Sequence, residues 1–444
     1  MTHGAETRGS RGPRYLVQPV RELAGELTVP GDKSISHRAL LLGGIARGRT
    51  EVRGFLDSAD CRATLQALRA LGVGIERHGA HDLTIEGVGL DGLRPSGTPL
   101  DMGNAGTAIR LFMGLLAGQR FASTLTGDES LQRRPMERVA EPLRLMGAHV
   151  ETREGRPPVR VGGGGPLHGI DYALPMASAQ VKSAILLAGL QARGTTRVLE
   201  PAPTRDHTER MLRGFGAAVH QEAGRVELAG GQSLRAAPVW VPGDISSAAF
   251  FIVAGCLAAP RGLILRGVGV NPTRTGLLDM LRLMGARIEV VPVAARGAEP
   301  VADIRVYASR LHGIELPPQL VPLAIDELPV FFIAAACARG ETLVTGAGEL
   351  RVKESDRLAA MAAGLTGVGV ECELRPDGLR IQGGRVRGGH IDSHGDHRVA
   401  MAFAVASVCA EAPIAIDDVA NVGTSFPGFA AAARAVGLDL QELG

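Results

Sequence analysis

One phrase occurs six times along the chain, and it constrains the fold more than any other feature. A leucine-rich helix end, a glycine and a short strand follow one another, as in ALRALGVGIE, LRLMGAHVE and LRLMGARIE. Glycine just past a helix is typical of the left-handed conformation that ends helices. We therefore predict six glycine-capped helix ends, at Gly72, Gly147, Gly216, Gly285, Gly367 and Gly437.

A second repeated phrase lies about midway between successive copies of the first. An apolar helix ends in Ala-Arg-Gly or a similar tripeptide and a strand follows, as in SAILLAGLQARGTTRVLE. Helices this apolar must be largely buried, so we expect helices inside and sheets around them. A period of roughly 70 residues exceeds the 20–50 residues of solenoid repeats and favours small globular units. The copies begin near Ala39, Ala108, Ser183, Ala248, Pro329 and Val399.

A larger repeat predicts two domains. Val29-Pro30-Gly31-Asp32 returns as Val241-Pro242-Gly243-Asp244, each time before an apolar helix. We interpret both segments as points where the chain passes between domains. One domain then comprises residues 33–242 with three units, and the other comprises residues 1–32 and 243–444 with three more. Ligands commonly bind in the cleft between such halves, so we expect the active site there.

The composition excludes several classes of protein. The net charge is +2 and only 3% of residues are aromatic, which argues against nucleic-acid binding. The longest apolar run, 248–259, is too short to span a bilayer, and residues 1–14 contain no apolar stretch. Five scattered cysteines indicate neither a zinc site nor a disulfide framework. We expect a cytoplasmic protein with no membrane partner, no metal and no cofactor.

Lysine is almost absent. Of 48 basic residues, only Lys33, Lys182 and Lys353 are lysine, and the others are arginine. Lysine provides a compact point charge and a pKa that burial can lower, whereas arginine provides a wide fork that stays protonated. The scarcity therefore indicates chemical roles for Lys33 and Lys353, and leaves the role of Lys182 open.

The first lysine lies in Pro30-Gly31-Asp32-Lys33-Ser34, a turn that enters an apolar helix, where free backbone N–H groups favour an anion. Each such motif alone is compatible with a capped helix and solvated charges. Together they suit two phosphorylated or carboxylated small molecules, with acids left for proton transfer. The other motifs are GNAGTAIR (103–110), RRPM (133–136), SAQVK (178–182), TRDHT (204–208), IDELP (325–329), KESDR (353–357) and GDHR (395–398).

The ordered motifs PGDKSISHR, GNAGTAIR, RRPM, SAQVK, KESDR and GDHR closely resemble those of the EPSP synthase family, the 3-phosphoshikimate 1-carboxyvinyltransferases. They extend from Pro30 to Arg398, almost the whole chain. The resemblance implies an α/β fold, a two-domain inverse α/β barrel in which each domain has three βαβαββ units with buried helices and outer sheets. SAQVK followed by TRDHTE is similar to the subgroup that includes glyphosate-tolerant bacterial enzymes.

The family reaction joins shikimate 3-phosphate to phosphoenolpyruvate and releases phosphate, on the route to chorismate and the aromatic amino acids. The resemblance implies that Asp326 takes the proton of the 5-hydroxyl, and that Glu354, assisted by Lys33, manages the methylene proton. It also implies a monomer acting on small molecules. Shikimate 3-phosphate would be held by Lys33, Ser34, Arg38, Ser178, Gln180, Arg205, Asp326 and Lys353. Phosphoenolpyruvate would be held by Lys33, Gly106, Arg134, Gln180, Arg357 and Arg398.

Three positions depart from the pattern of many family members. Ala179 stands where a second serine would contact phosphate, Thr424 replaces a lysine near the C-terminus, and Glu349 replaces an asparagine. Tolerant members often carry alanine where this chain has Gly106. That glycine predicts sensitivity to glyphosate, a phosphonate anion that competes with phosphoenolpyruvate in this family.

Two alternatives stay open at this point. The related enolpyruvyl transferases that act on UDP-N-acetylglucosamine generally use a reactive loop cysteine, whereas Cys256, Cys337 and Cys409 lie in apolar helices here. A non-catalytic ligand-binding relative would not need Asp326 and Glu354.

Overall fold

The structure is a computed structural model, and it describes residues 12–222, 224–294 and 296–444. Residues 1–11, which belong to the second predicted domain and to the polar start of the chain, lie outside the described residues. Within the described ranges, no helix is long and apolar enough to cross a membrane.

Thirteen α-helices lie within the described ranges. They are α1 (Lys33–Ile45), α2 (Ala59–Ala70), α3 (Gly106–Leu116), α4 (Glu129–Gln132), α5 (Glu137–Leu145), α6 (Ala179–Gly189), α7 (His207–Gly214), α8 (Ile245–Ala258), α9 (Gly276–Leu283), α10 (Leu328–Cys337), α11 (Arg357–Gly367), α12 (His397–Ala406) and α13 (Phe429–Ala435). Short 3₁₀ helices cover Pro318–Leu323, Gly348–Val352, Ser407–Cys409 and Ala420–Thr424.

Twenty-three strands lie within the same described ranges. They are β1 (Arg14–Gln18), β2 (Gly25–Thr28), β3 (Arg47–Arg53), β4 (Gly74–Arg77), β5 (Leu83–Val88), β6 (Leu100–Asp101), β7 (Ala122–Thr126), β8 (Val150–Arg153), β9 (Arg156–Gly162), β10 (Asp171–Ala173), β11 (Thr195–Leu199), β12 (Val219–Glu222), β13 (Arg225–Ala229), β14 (Val239–Trp240), β15 (Leu263–Gly269), β16 (Arg287–Val293), β17 (Val301–Tyr307), β18 (Gly340–Val344), β19 (Glu371–Arg375), β20 (Gly378–Gly383), β21 (Gly389–Asp392), β22 (Ile414–Asp417) and β23 (Asp439–Leu443).

The strands form six small sheets, in agreement with six repeated units. Their spatial orders are β14-β3-β5-β4, β6-β7-β9-β8, β10-β11-β13-β12, β16-β17-β15-β2, β18-β20-β19 and β21-β22-β1-β23. In each four-stranded sheet one edge strand pairs in parallel, as β6 does with β7, and the other pairs are antiparallel. The three-stranded sheet retains only a parallel bridge, Glu315 with Leu343, in place of that edge strand.

Six helices are buried on almost every side, as the second repeated phrase predicts. They are α1, α3, α6, α8, α10 and α12. In α8, every residue except Leu257 is buried. Strands such as β9 and β17 instead alternate buried and more exposed side chains, so one face of each packs on a core. The chain is thus a mixed α/β protein with apolar helices inside and sheets around them.

The buried apolar side chains form two separate clusters. One extends from Ile35 to Val241. The other combines Tyr15–Val29 with Ile245–Leu440. The chain passes from one cluster to the other at the two Val-Pro-Gly-Asp segments.

The two Val-Pro-Gly-Asp segments pair with each other. Gly31 and Gly243 form an antiparallel bridge, the Asp32 amide donates to the Pro242 carbonyl at 2.8 Å, and the Asp244 amide donates to the Pro30 carbonyl at 2.8 Å. A Cβ at Gly31 would lie 1.9 Å from the Gly54 carbonyl oxygen, so the close approach of the backbones requires glycine. Both crossings therefore form one joint between the two cores.

Five of the six predicted glycine caps are confirmed, and one is wrong. Gly72, for example, has a φ of +90° and donates to the Arg69 carbonyl. In the fifth copy α11 includes Gly367, and Gly369 takes the left-handed conformation, with a φ of +82°. Helix α11 therefore ends two residues later than the segment Leu365-Thr366-Gly367 predicts. The other four confirmed caps are Gly147, Gly216, Gly285 and Gly437.

The two neighbouring glycines give a matched test of this correction. Gly369→Ala should lower the free energy of unfolding by about 1–2 kcal/mol, because a Cβ is strained in the left-handed region. Gly367→Ala should be neutral or stabilising, since alanine favours a helix and the nearest atom to its Cβ is 3.5 Å away. Urea-unfolding midpoints of both variants decide the point. A Gly367→Ala protein that is the less stable of the two would restore the original prediction.

Candidate active site

A cavity of about 510 Å³ lies where side chains of both cores meet. Twelve of the thirteen site residues predicted from sequence line it, and they come from segments far apart in the chain. They are Lys33, Ser34, Gly106, Arg134, Ser178, Gln180, Arg205, Asp326, Lys353, Glu354, Arg357 and Arg398.

Helix α1 brings the first lysine to the cavity. Asp32 caps the helix by accepting a hydrogen bond from the Ile35 amide at 2.9 Å, which fixes the first turn that carries Lys33 and Ser34. The Lys33 ammonium donates to Asp60 at 3.0 Å. Burial alone would lower the pKa of Lys33, but the carboxylates of Asp60 and Glu354 outweigh it and raise the pKa. Lys33 is therefore a fixed cation.

Helices α3 and α6 bring the glycine-rich turn and the glutamine together. Gly106 is the first residue of α3 and Gln180 lies in the first turn of α6. Arg110 donates to the Gln180 side-chain oxygen at 2.6 Å, and the Gln180 amide donates to Thr107 at 3.0 Å. These bonds orient the glutamine toward the cavity. Ser178 caps α6, and its neighbour Ala179 also lines the cavity, without a hydroxyl.

Asp326 is surrounded by cations. It forms an ion pair with Arg205, which comes from the other core, and lies 3.3 Å from Arg357 and 3.8 Å from Lys353. Burial would raise the pKa of this carboxyl, but Arg205, Lys353, Arg398 and Arg357 together hold it well below its usual range. Asp326 is consequently ionised and available to accept a proton.

Glu354 joins the two sides of the cavity in the same way. Its carboxylate bonds to Arg357 at 2.5 Å and lies 3.4 Å from Arg134 of the other core. Burial would raise its pKa, and the positive charges of Arg357, Arg134 and Lys33 outweigh this effect and hold the pKa well below the usual range. Burial lowers the pKa of His397, which also lines the cavity, to about 3, so this imidazole is neutral.

Two arginines at the N-termini of α11 and α12 are held by backbone and carboxylate groups. Arg357 is 1% exposed and donates to Asp396 at 2.8 Å. Arg398 donates to the Asp326 carbonyl at 2.8 Å, which ties α12 to the segment before α10. Both guanidinium groups thus face the cavity in fixed positions.

Glu349, one of the three departures from the family pattern, bridges the two sides of the cavity. Arg138 donates to both of its oxygens, at 3.0 and 3.2 Å, and Lys353 lies 3.7 Å away. Burial lowers the pKa of Lys353; the carboxylates of Asp326 and Glu349 oppose this effect, but together with the charges of Arg357 and Arg205 burial prevails. The third departure, Thr424, does not line the cavity.

Arg38 is the one predicted site residue outside the cavity lining. Its guanidinium is buried and donates to Thr208 at 2.6 Å, to Ser183 at 2.9 Å and to the Ser34 carbonyl at 3.0 Å. The structure therefore places Arg38 beneath Ser34. That it holds shikimate 3-phosphate directly stays a prediction.

Lys182 forms a buried ion cluster away from the cavity. Its ammonium lies 2.9 Å from Glu200 and 2.7 Å from Glu209, and all three side chains are almost fully buried. A compact ammonium reaches both carboxylates in this space. The structure therefore assigns the third lysine to the interior of the first core, where it pairs with two buried acids.

Sequence reasoning missed several residues that line the cavity, namely Asp60, Arg110, Arg138 and Arg274. Arg110 stands inside the GNAGTAIR motif, so that motif contained the signal. The other three lie in segments with no glycine-rich turn and no lysine. Among the described residues, no group of three or more His, Cys, Asp and Glu is placed to hold a metal ion.

A cavity lined by fixed cations from both cores, with two ionised carboxylates among them, suits an enzyme that acts on two small anionic substrates. The family model for EPSP synthase (3-phosphoshikimate 1-carboxyvinyltransferase) matches residues 17–432. The 3-phosphoshikimate 1-carboxyvinyltransferase of Alkalilimnicola ehrlichii is 59% identical to this chain and that of Methylococcus capsulatus is 57% identical. Each alignment covers 96% of this chain, and they cover 96% and 98% of the relatives.

A solved structure agrees with these relatives. The EPSP synthase from Acinetobacter baumannii superimposes with a TM-score of 0.87 at 50% identity, and the match covers 97% of this chain and 100% of that one. The chain belongs to the EPSP synthase family, and the resemblance drawn from the motifs is confirmed.

Replacing either cavity lysine by arginine tests the argument from lysine scarcity. Lys33→Arg and Lys353→Arg should each lower kcat/KM at least about 100-fold, or about 2.7 kcal/mol of transition-state stabilisation, because a wider fork cannot take the place of a point charge. Arg49→Lys on the exposed surface, where the side chain is 57% exposed, should change nothing. Steady-state kinetics with near-normal activity for Lys33→Arg would show that the argument is wrong.

Proposed function

We propose that this cavity transfers the enolpyruvyl group of phosphoenolpyruvate to the 5-hydroxyl of shikimate 3-phosphate. The products are 5-enolpyruvylshikimate 3-phosphate and phosphate, as the family reaction requires. The observation that supports this most is the pairing of two ionised acids, Asp326 and Glu354, with arginines and lysines from both cores. Two anionic substrates would find compensating charges on both sides of the cavity.

Asp326 is the proposed base for the first step. It takes the proton of the 5-hydroxyl as that oxygen attacks C2 of phosphoenolpyruvate. The depressed pKa of Asp326 keeps it ionised before the substrates bind. When substrate anions contact Arg357 and Lys353, they offset those charges, and the affinity of Asp326 for a proton increases.

Glu354, assisted by Lys33, is the proposed acid for the methylene carbon. It is ionised before the substrates bind, and it takes up a proton from solvent once the substrate anions offset the charges of Arg357, Arg134 and Lys33 that hold its pKa low. A proton added to C3 as the C–O bond forms gives a tetrahedral adduct. Removal of a methyl proton by the same carboxylate, with departure of phosphate, restores the double bond. The Lys33 ammonium stabilises the negative charge that develops on the phosphate oxygens.

The substrate contacts are proposed from the cavity lining. Phosphoenolpyruvate lies against the N-terminus of α3 at Gly106, where free amides and the helix dipole attract an anion. Its further contacts are Lys33, Arg134, Gln180, Arg357 and Arg398. Shikimate 3-phosphate is held by Lys33, Ser34, Arg38, Ser178, Gln180, Arg205, Asp326 and Lys353, and Arg38 also supports Ser34 from below.

The larger organisation is part of the same proposal. The two apolar clusters support two domains, residues 33–242 and residues 1–32 with 243–444, arranged as an inverse α/β barrel of βαβαββ units. The active site lies in the cleft between them. The enzyme is proposed to work as a cytoplasmic monomer on small molecules.

A phosphate-release assay tests the function. The protein should release phosphate only when both shikimate 3-phosphate and phosphoenolpyruvate are present, with formation of one enol ether per phosphate. UDP-N-acetylglucosamine in place of shikimate 3-phosphate should give no release. None of the five cysteines lines the cavity, which leaves that alternative acceptor without its usual reactive thiol. Turnover of the nucleotide sugar alone would contradict the proposal.

Glyphosate sensitivity is predicted from Gly106. A Cβ at this position would lie 2.7 Å from the Arg134 guanidinium and 3.1 Å from that of Arg110, so Gly106→Ala must displace groups that meet an anion. Overpacking of this kind costs about 1–3 kcal/mol, roughly 5- to 150-fold in affinity. The inhibition constant of Gly106→Ala should rise more than its KM for phosphoenolpyruvate, measured beside the wild type at one phosphoenolpyruvate concentration. A wild type already resistant at millimolar glyphosate would contradict the prediction.

A further inference from the structure

Arg274 is a buried cation to which neither the motifs nor the proposed mechanism assigns a role. It lies between β15 and α9, and 2% of its surface is exposed. Its guanidinium reaches the edge of the cavity, at the joint formed by the two chain crossings.

The first set of contacts joins the two crossings. The Arg274 guanidinium lies 3.2 Å from Asp32 and 3.5 Å from Asp244. Asp32 is the cap of α1, whose first residue is Lys33, and Asp244 is the cap of α8. The Lys33 amide also approaches Asp244, at 3.3 Å. One side chain therefore holds the start of the lysine-bearing helix against the opposite core.

The second set of contacts leads to the proposed base. Arg274 donates to the Ser246 hydroxyl at 2.6 Å and lies 3.6 Å from Glu327. Ser246 in turn donates to Glu327, which is fully buried and directly follows Asp326 in the chain. Glu327 is thus anchored in place, and with it the backbone from which the Asp326 side chain projects.

We propose that Arg274 is a positioning residue that fixes Lys33 and Asp326 relative to each other. It does so by holding Asp32 on one side and the Ser246–Glu327 pair on the other. This inference rests on the proposed function, because it assumes that Lys33 and Asp326 act in the same step. The planar fork of arginine satisfies partners in several directions at once, whereas a lysine ammonium at the end of a flexible stem does not fix them in the same geometry.

The expected effect falls on turnover. A small displacement of reacting groups costs rate far more than it costs binding, since alignment is needed only in the transition state. Arg274→Lys, which keeps the charge, should lower kcat at least about tenfold and change the KM of each substrate by less than about threefold. Arg266→Lys is the matched control. Arg266 lies on β15 and also pairs with two carboxylates, Glu26 on β2 and Asp303 on β17, but it lies on the surface. Its kcat and KM should equal those of the wild type.

Variants of two neighbouring serines in α8 distinguish an effect on positioning from an effect on folding. Ser246→Ala removes the hydroxyl that bridges Arg274 and Glu327 and leaves only their direct ion pair at 3.6 Å, so it should lower kcat about three- to tenfold. Ser247→Ala removes a neighbouring buried hydroxyl that lies outside the cavity lining, and its kcat should not change. Thermal unfolding midpoints of the two variants should agree within a few degrees.

The outcomes distinguish this inference from the proposed function. If Arg274→Lys and Ser246→Ala retain wild-type kcat, or if their losses lie entirely in KM, Arg274 is not a positioning residue. The function then still stands on phosphate release by the wild type. If Ser247→Ala loses as much kcat as Ser246→Ala, the effect belongs to packing of α8 and the inference is also overturned.

Discussion

The pairing of the two Val-Pro-Gly-Asp segments is the constraint on which the rest of the structure depends. Backbone hydrogen bonds join the segments, and their aspartates cap α1 and α8, the first buried helix of each half. The helix starts on either side of the cleft are therefore fixed at one joint. Lys33 immediately follows one of these caps, so the proposed catalytic geometry begins at the point where the chain changes cores.

The positive and negative side chains around the cavity largely balance one another. A buried arginine without a partner would cost several kcal/mol, so most cations around the cavity pair with a carboxylate. Arg357, for example, lies against Asp326, Glu354 and Asp396. Arg110 and Arg398 instead donate to the Gln180 side-chain oxygen and to the Asp326 backbone carbonyl. Substrate phosphates and carboxylates can take over some of these contacts, so binding exchanges one set of ion pairs for another. This exchange also changes the proton affinity of Asp326 and Glu354 when both substrates are present.

The repeats and motifs predict much of the fold and most of the cavity, and the failures have physical reasons. Six buried helices follow from apolar runs, but the choice between Gly367 and Gly369 depends on where the helix ends in three dimensions. Lysine scarcity indicates positions that need a compact cation, but it cannot separate the proposed catalytic role of Lys33 from the structural role of the buried Lys182. Arg274 belongs to no motif, because its partners are brought together only by the crossing of the chain.

We expect the site to be complete only when both halves of the chain meet around the substrates. Arg134 and Arg138 contact Glu354 and Glu349 across the cleft, and the paired crossings are where we expect a hinge. Solution X-ray scattering with and without saturating shikimate 3-phosphate tests this directly. We predict a smaller radius of gyration with the ligand, because its contacts favour the closed arrangement. An identical scattering profile at saturation would show that the ligand does not close the two halves.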